Sequence, residues 1–404
     1  MPRPRLYTSR YLALPVWLSM LLVLAGLACQ RDPSGAQPLN IGLIAPLTGY
    51  EASSGEAIQR GMLLALDEVN RQGGVLGRPL ALVTHDVPND PALGVAALQQ
   101  LQQQHGIVAV FSGVFSPVIL AQLDAIHRLE LPLFIPRGSL TSITRNGHTP
   151  NYAFRVAMSD EYADEFLARY AVETLGARRP GILADTTAWG AANVAGLTDW
   201  TARVGVALAG IERFDQGDGN MNRHLAKLRA AGADALLLVA NAPEGAAIVR
   251  GLGILGWKVP VVSHNGLGNK RFVELAGVSH AEGMWTLQTF SFTPPQAAQT
   301  QAVLQAYHAR FGTHRIEEVT VPSAMASGYD ALHLLARAIH QAGTAAGPQV
   351  REALEHLQPY AGLMKHYAPA FTPERHDALL ATDYHMAIWH NGALIPAPQP
   401  RLLR

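Results

Sequence analysis

The sequence predicts an α/β fold built from doubly wound parallel sheets. Two observations lead there. After residue 38, short apolar runs alternate with amphipathic stretches, and strand–helix alternation of that length gives this architecture. The runs 107–112 (IVAVFS) and 235–240 (ALLLVA) are apolar without alternation, as strands buried on both faces require. The chain has 404 residues, 49% hydrophobic and 15% charged, a globular composition long enough for two lobes of ordinary domain size.

The first strand is expected over 40–45 (NIGLIA), running into Pro46-Leu47-Thr48-Gly49. A helix over 55–72 follows and stops at a glycine-rich turn from Asn70 to Pro79 (NRQGGVLGRP). The second strand, 80–85, ends on Asp86. Helix 92–104, strand 107–112, helix 117–129 and strand 132–136 continue the alternation, with Ser116 suited to an N-cap and Pro117 to a first helical residue. Then come helix 161–175, strand 180–184, helices 190–203 and 221–231, strand 234–240, helix 244–255 and strand 259–263. Helices 297–311, 323–342 and 347–357 follow, and the proline-rich tail from Ala393 reads as loose. No internal sequence repeat is visible.

Formal charge is zero over the whole chain. Residues 1–28 hold Arg3, Arg5 and Arg10 and no acid, so the remainder has 28 basic against 31 acidic residues, a net charge of −3. That balance offers no electrostatic footprint for nucleic acid. There is no G-x-S-x-G elbow, no phosphate-binding G-x-x-x-x-G-K-[ST] loop and no H-E-x-x-H. The 16 histidines are scattered, and His333 and His340 read as packing or surface residues, so no metal or cofactor is expected. Residues 11–28 are uncharged behind an arginine-bearing start, the pattern of an export signal. Their length also leaves an uncleaved membrane anchor open. Cys29, the only cysteine, can form neither an internal disulfide nor a metal cluster.

The order IG-x-x-x-P-L-T-G at 41–49, N-x-x-GG-x-x-G at 70–77 and a strand closing on Asp86 resembles the opening of type I periplasmic solute-binding proteins, the branched-chain amino acid receptor family of ABC importers. The resemblance implies two doubly wound lobes joined by a three-strand hinge, the Venus-flytrap arrangement. Crossings near 154–157, 288–292 and the 370s would divide the chain into a first lobe of 38–156 plus 290–376 and a second of 157–289 plus 377–404. It implies a monomer that captures a small polar solute of amino acid, amide or organic acid type and offers it to ABC permease subunits, with no bond broken. Similar folds also serve as ligand sensors feeding a regulator or kinase, and an α/β enzyme is the distant alternative. The leader resembles a bacterial lipoprotein signal. That implies a signal peptide over 1–28, a lipid on Cys29 and a tether over 29–37. The exported protein would then be membrane-anchored, in the periplasm or at the cell surface.

Ligands of open α/β sheets bind beyond the carboxyl ends of the strands. Ser116, at a helix start with free N–H groups, is the expected seat for a carboxylate. The family pairs hydroxyl residues here, and Pro117 replaces the second. Gly138 and Ser139 match the family's small residue and hydroxyl in the cleft, beside Arg137, which could add a charge or be solvated at the surface. Ser54 lies in the first loop. Trp189 stands where relatives carry an aromatic, usually tyrosine, that covers the ligand. Asn241 and Asn265 follow the next strands. At the latter position amino acid receptors often carry an acid for the ligand ammonium, so Asn265 weakens an amino acid assignment. Asp185 and Glu244 are acids without an assigned place. Asp86, Asp90, Tyr329 and Asp330 match family positions and read as caps and strand-end contacts.

Overall fold

Apolar strands connected by helices build two sheets in the computed structural model, which describes Met1 and residues 36–293 and 297–398. The expected leader over 1–28, Cys29 and the start of the tether lie outside the described residues. From Pro38 on the chain is a single compact unit.

The first sheet uses β1 (Leu39–Ala45), β2 (Leu80–Asp86), β3 (Ala109–Ser112), β4 (Leu133–Ile135) and β5 (Ala153–Arg155). Helices α1 (Ala52–Arg71), α2 (Pro91–His105) and α3 (Ser116–Arg128) connect them. Every pairing is parallel, in the order β2-β1-β3-β4-β5. Phe111, Phe134 and Phe154 stack across neighbouring strands at 5.0 and 6.0 Å between rings.

The second sheet begins after α4 (Asp160–Arg169) with β6 (Gly181–Asp185), α5 (Ala188–Arg203), β7 (Gly210–Phe214), α6 (Asn222–Ala230) and β8 (Leu236–Val239). It continues through α7 (Ala242–Ile254), β9 (Val261–Ser263), α8 (Lys270–Ala276), α9 (Val278–Ala281) and β10 (Trp285–Gln288). The chain then adds α10 (Ala298–Phe311), α11 (Pro322–Ala342), α12 (Gly347–Glu355) and a small β11–β12 pair (Tyr360–Ala361, His366–Tyr367). It finishes with β13 (His385–His390) and β14 (Ala393–Pro396), both antiparallel, at the edge beyond β10. The run β7-β6-β8-β9-β10 repeats the order of the first sheet. No sequence repeat accompanies it, because a strand buried on both faces accepts any of several aliphatic residues.

Three expectations need correction. The tail from Ala393 is not loose: it forms β14, with Ile395 opposite Ile388. Strand β7 was not expected, because its GIERF sequence sits half-exposed at a sheet edge and lacks an apolar run. Helix 161–175 is α-helical only to Arg169 and continues as a π-helical turn over Tyr170–Thr174.

The glycine turn after α1 has a physical basis. Asn70 closes it with two hydrogen bonds to the main chain of Leu80, at 2.9 and 2.8 Å. Gly73, Gly74 and Gly77 have φ of 97°, 76° and 72°, a region costly for residues with a Cβ. A Cβ on Gly74 would also lie 2.0 Å from the Arg78 carbonyl oxygen. Asp86 receives the Leu47 amide (2.7 Å) and the Thr48 amide (3.3 Å) and hydroxyl, so the end of β2 holds the loop after β1. Asp90 caps α2 through the amides of Ala92 and Leu93.

Asp330, fully buried on α11, accepts from the amides of Leu363 (2.6 Å) and Met364 (2.9 Å) and the Tyr367 hydroxyl (2.8 Å). Burial nevertheless pushes its carboxyl from the ordinary 3.8 up to about 6. A carboxyl raised on folding contributes stability that is complete below its unfolded value and is lost as pH rises through its folded value. The stability advantage of the wild type over Asp330→Asn should therefore shrink between pH 4 and 7, as read by urea denaturation. A pH-independent gap would refute it.

Where the chain leaves β5 for the second sheet, Arg155 is fully buried. Its Nε donates to Asp377 at 2.6 Å, and its other nitrogens donate to the Leu140 carbonyl (2.8 Å) and the hydroxyls of Thr144 (2.8 Å) and Ser159 (2.9 Å). The returning segment runs parallel beside it, with the Arg155 amide on His376 and the Ala378 amide on Arg155.

Candidate functional site

Parallel strands point their carboxyl ends the same way, so the loops after them collect at one rim. Here the rims of the two sheets face each other across a cavity holding about 470 Å³ of space not filled by protein atoms, its mouth included. From the first sheet come Asn89 after β2, Phe115 and Ser116 after β3, and Arg137 and Ser139 after β4. The second contributes Asp185, Thr187 and Trp189 after β6, Gln216 after β7, Asn241 after β8 and Asn265 after β9.

The walls touch. Tyr50, in the loop after β1, donates its hydroxyl to Glu244 in the first turn of α7 at 2.7 Å. The second Glu244 oxygen receives the Gly217 amide at 2.7 Å. Asn89 donates to Gln216 at 2.8 Å. Burial, reinforced by Glu244, raises the Tyr50 phenol well above its ordinary value, and burial also raises the Glu244 carboxyl.

Ser116 is the first helical residue of α3, one place later than the cap expected for it; extended Phe115 holds the cap position. No side chain caps the helix start, so its leading N–H groups remain available to a ligand. The Ser116 oxygen accepts the Leu140 amide at 3.4 Å, which leaves its own proton to donate. Ser139 is buried beside it. Asn241 precedes α7, whose start likewise has no side-chain cap. Trp189 lies in the first turn of α5, its ring edge-on to His264 at 5.2 Å between centroids, and its indole N–H is buried without a partner. Asn265 contacts His264 Nδ1 through Oδ1 at 2.9 Å, and His264 Nε2 meets Asp160 at 2.9 Å.

Two residues singled out from the sequence lie elsewhere. Ser54 is fully buried within α1, donates its hydroxyl to the Glu51 carboxylate at 2.6 Å, and does not line the cavity. Gly138 is not in the cavity lining, and a Cβ there would come within 2.4 Å of the terminal methyl of Ile119. Ser116, Ser139, Trp189, Asn241 and Asn265 are brought together in the lining. Arg137, for which a surface role was open, is only 6% exposed. Gln216 and Asn89 also line the cavity, and no sequence pattern singles them out. The first follows the unrecognised β7, and the second lies in a loop where Asp90 alone carried a visible pattern.

A sequence model described as periplasmic binding protein matches residues 38–393. The Leu/Ile/Val-binding protein BraC3 of Rhizobium johnstonii is 25% identical over 313 residues, covering 78% of this chain and 82% of that protein. A periplasmic binding protein type 1 from Bordetella pertussis Tohama I superposes with a TM-score of 0.81 at 24% identity, covering 89% of this chain and all of that one. A solute-binding protein of an ABC transporter from R. palustris, in complex with benzoate, superposes with a TM-score of 0.76 at 18% identity, covering 90% and 96% of the two chains.

Proposed function

Because the chain belongs to the periplasmic binding protein family, whose matched relatives bind solutes and are not enzymes, we propose that it is the lipid-anchored, extracytoplasmic substrate-binding component of an ABC importer. It captures a small polar solute of amino acid, amide or organic acid type. The observation that carries this reading is the shared cavity, in which Ser116 and Ser139 from one sheet face Trp189, Asn241 and Asn265 from the other. A solute held by both walls favours the shut form and is released when the lobes part. We take the lobes as 38–156 plus 290–376 and 157–289 plus 377–404, with ligand contacts from Ser116, Ser139, Trp189, Asn241 and Asn265. The monomer presents its closed form to permease subunits. The relatives that bind leucine, isoleucine and valine, or benzoate, mark the chemical range to test.

A thermal-shift screen of the full chain against amino acids, amides, ureas and organic acids tests the reading. A true solute at 100 times its dissociation constant should add about 2.7 kcal/mol of stability. Steady turnover of a compound, or no shift across all classes, would overturn it. No helix among the described residues is long and apolar enough to cross a membrane. Attachment is assigned to Cys29, with residues 29–37 as the tether, on the lipoprotein-like leader. Cys29→Ser should move the protein from the membrane fraction to the soluble one. Continued membrane retention would indicate an uncleaved leader.

A further inference from the structure

We infer that the solute is an acceptor-rich organic acid with no ammonium group, and that Arg137 is the residue that excludes free amino acids; this rests on the receptor reading above. Arg137 leaves the end of β4 into the cavity lining, is 6% exposed, and forms neither a hydrogen bond nor an ion pair with any described residue. A guanidinium carries five donors and no acceptor, and burying it without a counter-charge is strongly unfavourable. Arg155 shows what this chain does with a structural buried arginine: a carboxylate, a carbonyl and two hydroxyls receive it. Arg137 has no such set, so its donors are left to whatever fills the cavity.

The acids nearby do not supply the missing charge. Glu51 acts on Arg137 only through the longer-range field, and one of its oxygens is engaged by the Ser54 hydroxyl. Burial keeps the Arg137 proton affinity below the usual arginine value, with Glu51 offsetting part of the effect. Asp185 lines the cavity, but its Oδ1 takes the Thr187 amide (3.0 Å) and hydroxyl (2.6 Å). Burial also raises its carboxyl.

Several polar groups beside Arg137 are donors as well. The leading N–H groups of α3, the Ser116 proton and the unpartnered Trp189 indole N–H are all donors. An ammonium placed beside Arg137 and the start of α3 would meet donors and a fixed cation. A carboxylate with further oxygen acceptors would satisfy both, and would supply the paired counter-charge that Arg137 lacks.

Isothermal titration calorimetry on the full chain with two matched pairs tests the inference: 4-methylpentanoate against leucine, and 3-phenylpropanoate against phenylalanine. Within each pair only the ammonium differs. The acid should bind about tenfold tighter or better. Arg137→Met should lower acid affinity by about tenfold or more and narrow the gap within each pair, while Arg137→Lys should keep the preference for acids. An amino acid that binds as tightly as its des-amino partner, or acid affinity unchanged in Arg137→Met, overturns the inference and leaves the receptor reading standing. The wild-type comparison decides even where a variant fails to fold. Failure of every acid, amino acid and amide to bind the folded protein removes the receptor reading and this inference with it.

Discussion

Asp377→Ala should cost the folded protein about 3–5 kcal/mol of stability, the range for removing one partner of a buried ion pair. Arg155 would stay behind with no exposure to water, and its remaining partners are neutral oxygens from Leu140, Thr144 and Ser159. The segment carrying Asp377 also runs beside β5 through main-chain bonds to Arg155, so the pair ties together stretches of chain more than two hundred residues apart. Urea denaturation with unchanged slope and a lowered midpoint is the expected reading. A loss below about 1 kcal/mol, as for an exposed pair, would mean that the guanidinium finds water on losing its partner.

Trp189→Ala should weaken solute binding at least tenfold while leaving the melting temperature of the free protein nearly unchanged. The indole lines the cavity, is half-buried, and leans edge-on against His264. Truncation removes roughly 100 Å² of apolar contact with a bound solute, about 2.5 kcal/mol at 25 cal/mol per Å². Tenfold, about 1.4 kcal/mol, is therefore a floor. It also removes a buried donor that has no partner within the protein. Calorimetry with the solute found by screening gives the answer, and unchanged affinity would take Trp189 out of the site.

Much of this molecule is local pattern. The runs around 107–112 and 235–240 became β3 and β8, buried along their whole length. The turn from Asn70 to Pro79 is written in residues whose reasons act within a few positions: glycines at positive φ, and an asparagine that bridges helix end to strand start. Ser116, Ser139, Trp189, Asn241 and Asn265 could be singled out because each follows a recognisable strand, and parallel strands send their carboxyl ends to one rim. Strand β7 and the tail strand β14 were missed for the opposite reason. Both lie at the periphery of the second sheet, where pairing with a neighbour and not an apolar run makes the strand.

Alternation, turn chemistry and strand ends were thus sufficient for the α/β architecture and for part of the cavity wall. Which polar groups are satisfied was decided in three dimensions. Ser54 found Glu51 within its own helix start, Gly138 met Ile119, and Arg155 found Asp377 from far along the chain. Arg137, one strand from Arg155, found nothing. Two arginines of the same type, both buried, differ only in what the rest of the chain folds against them. A counter-charge is a property of neighbours in space, and no spacing along the chain announces it.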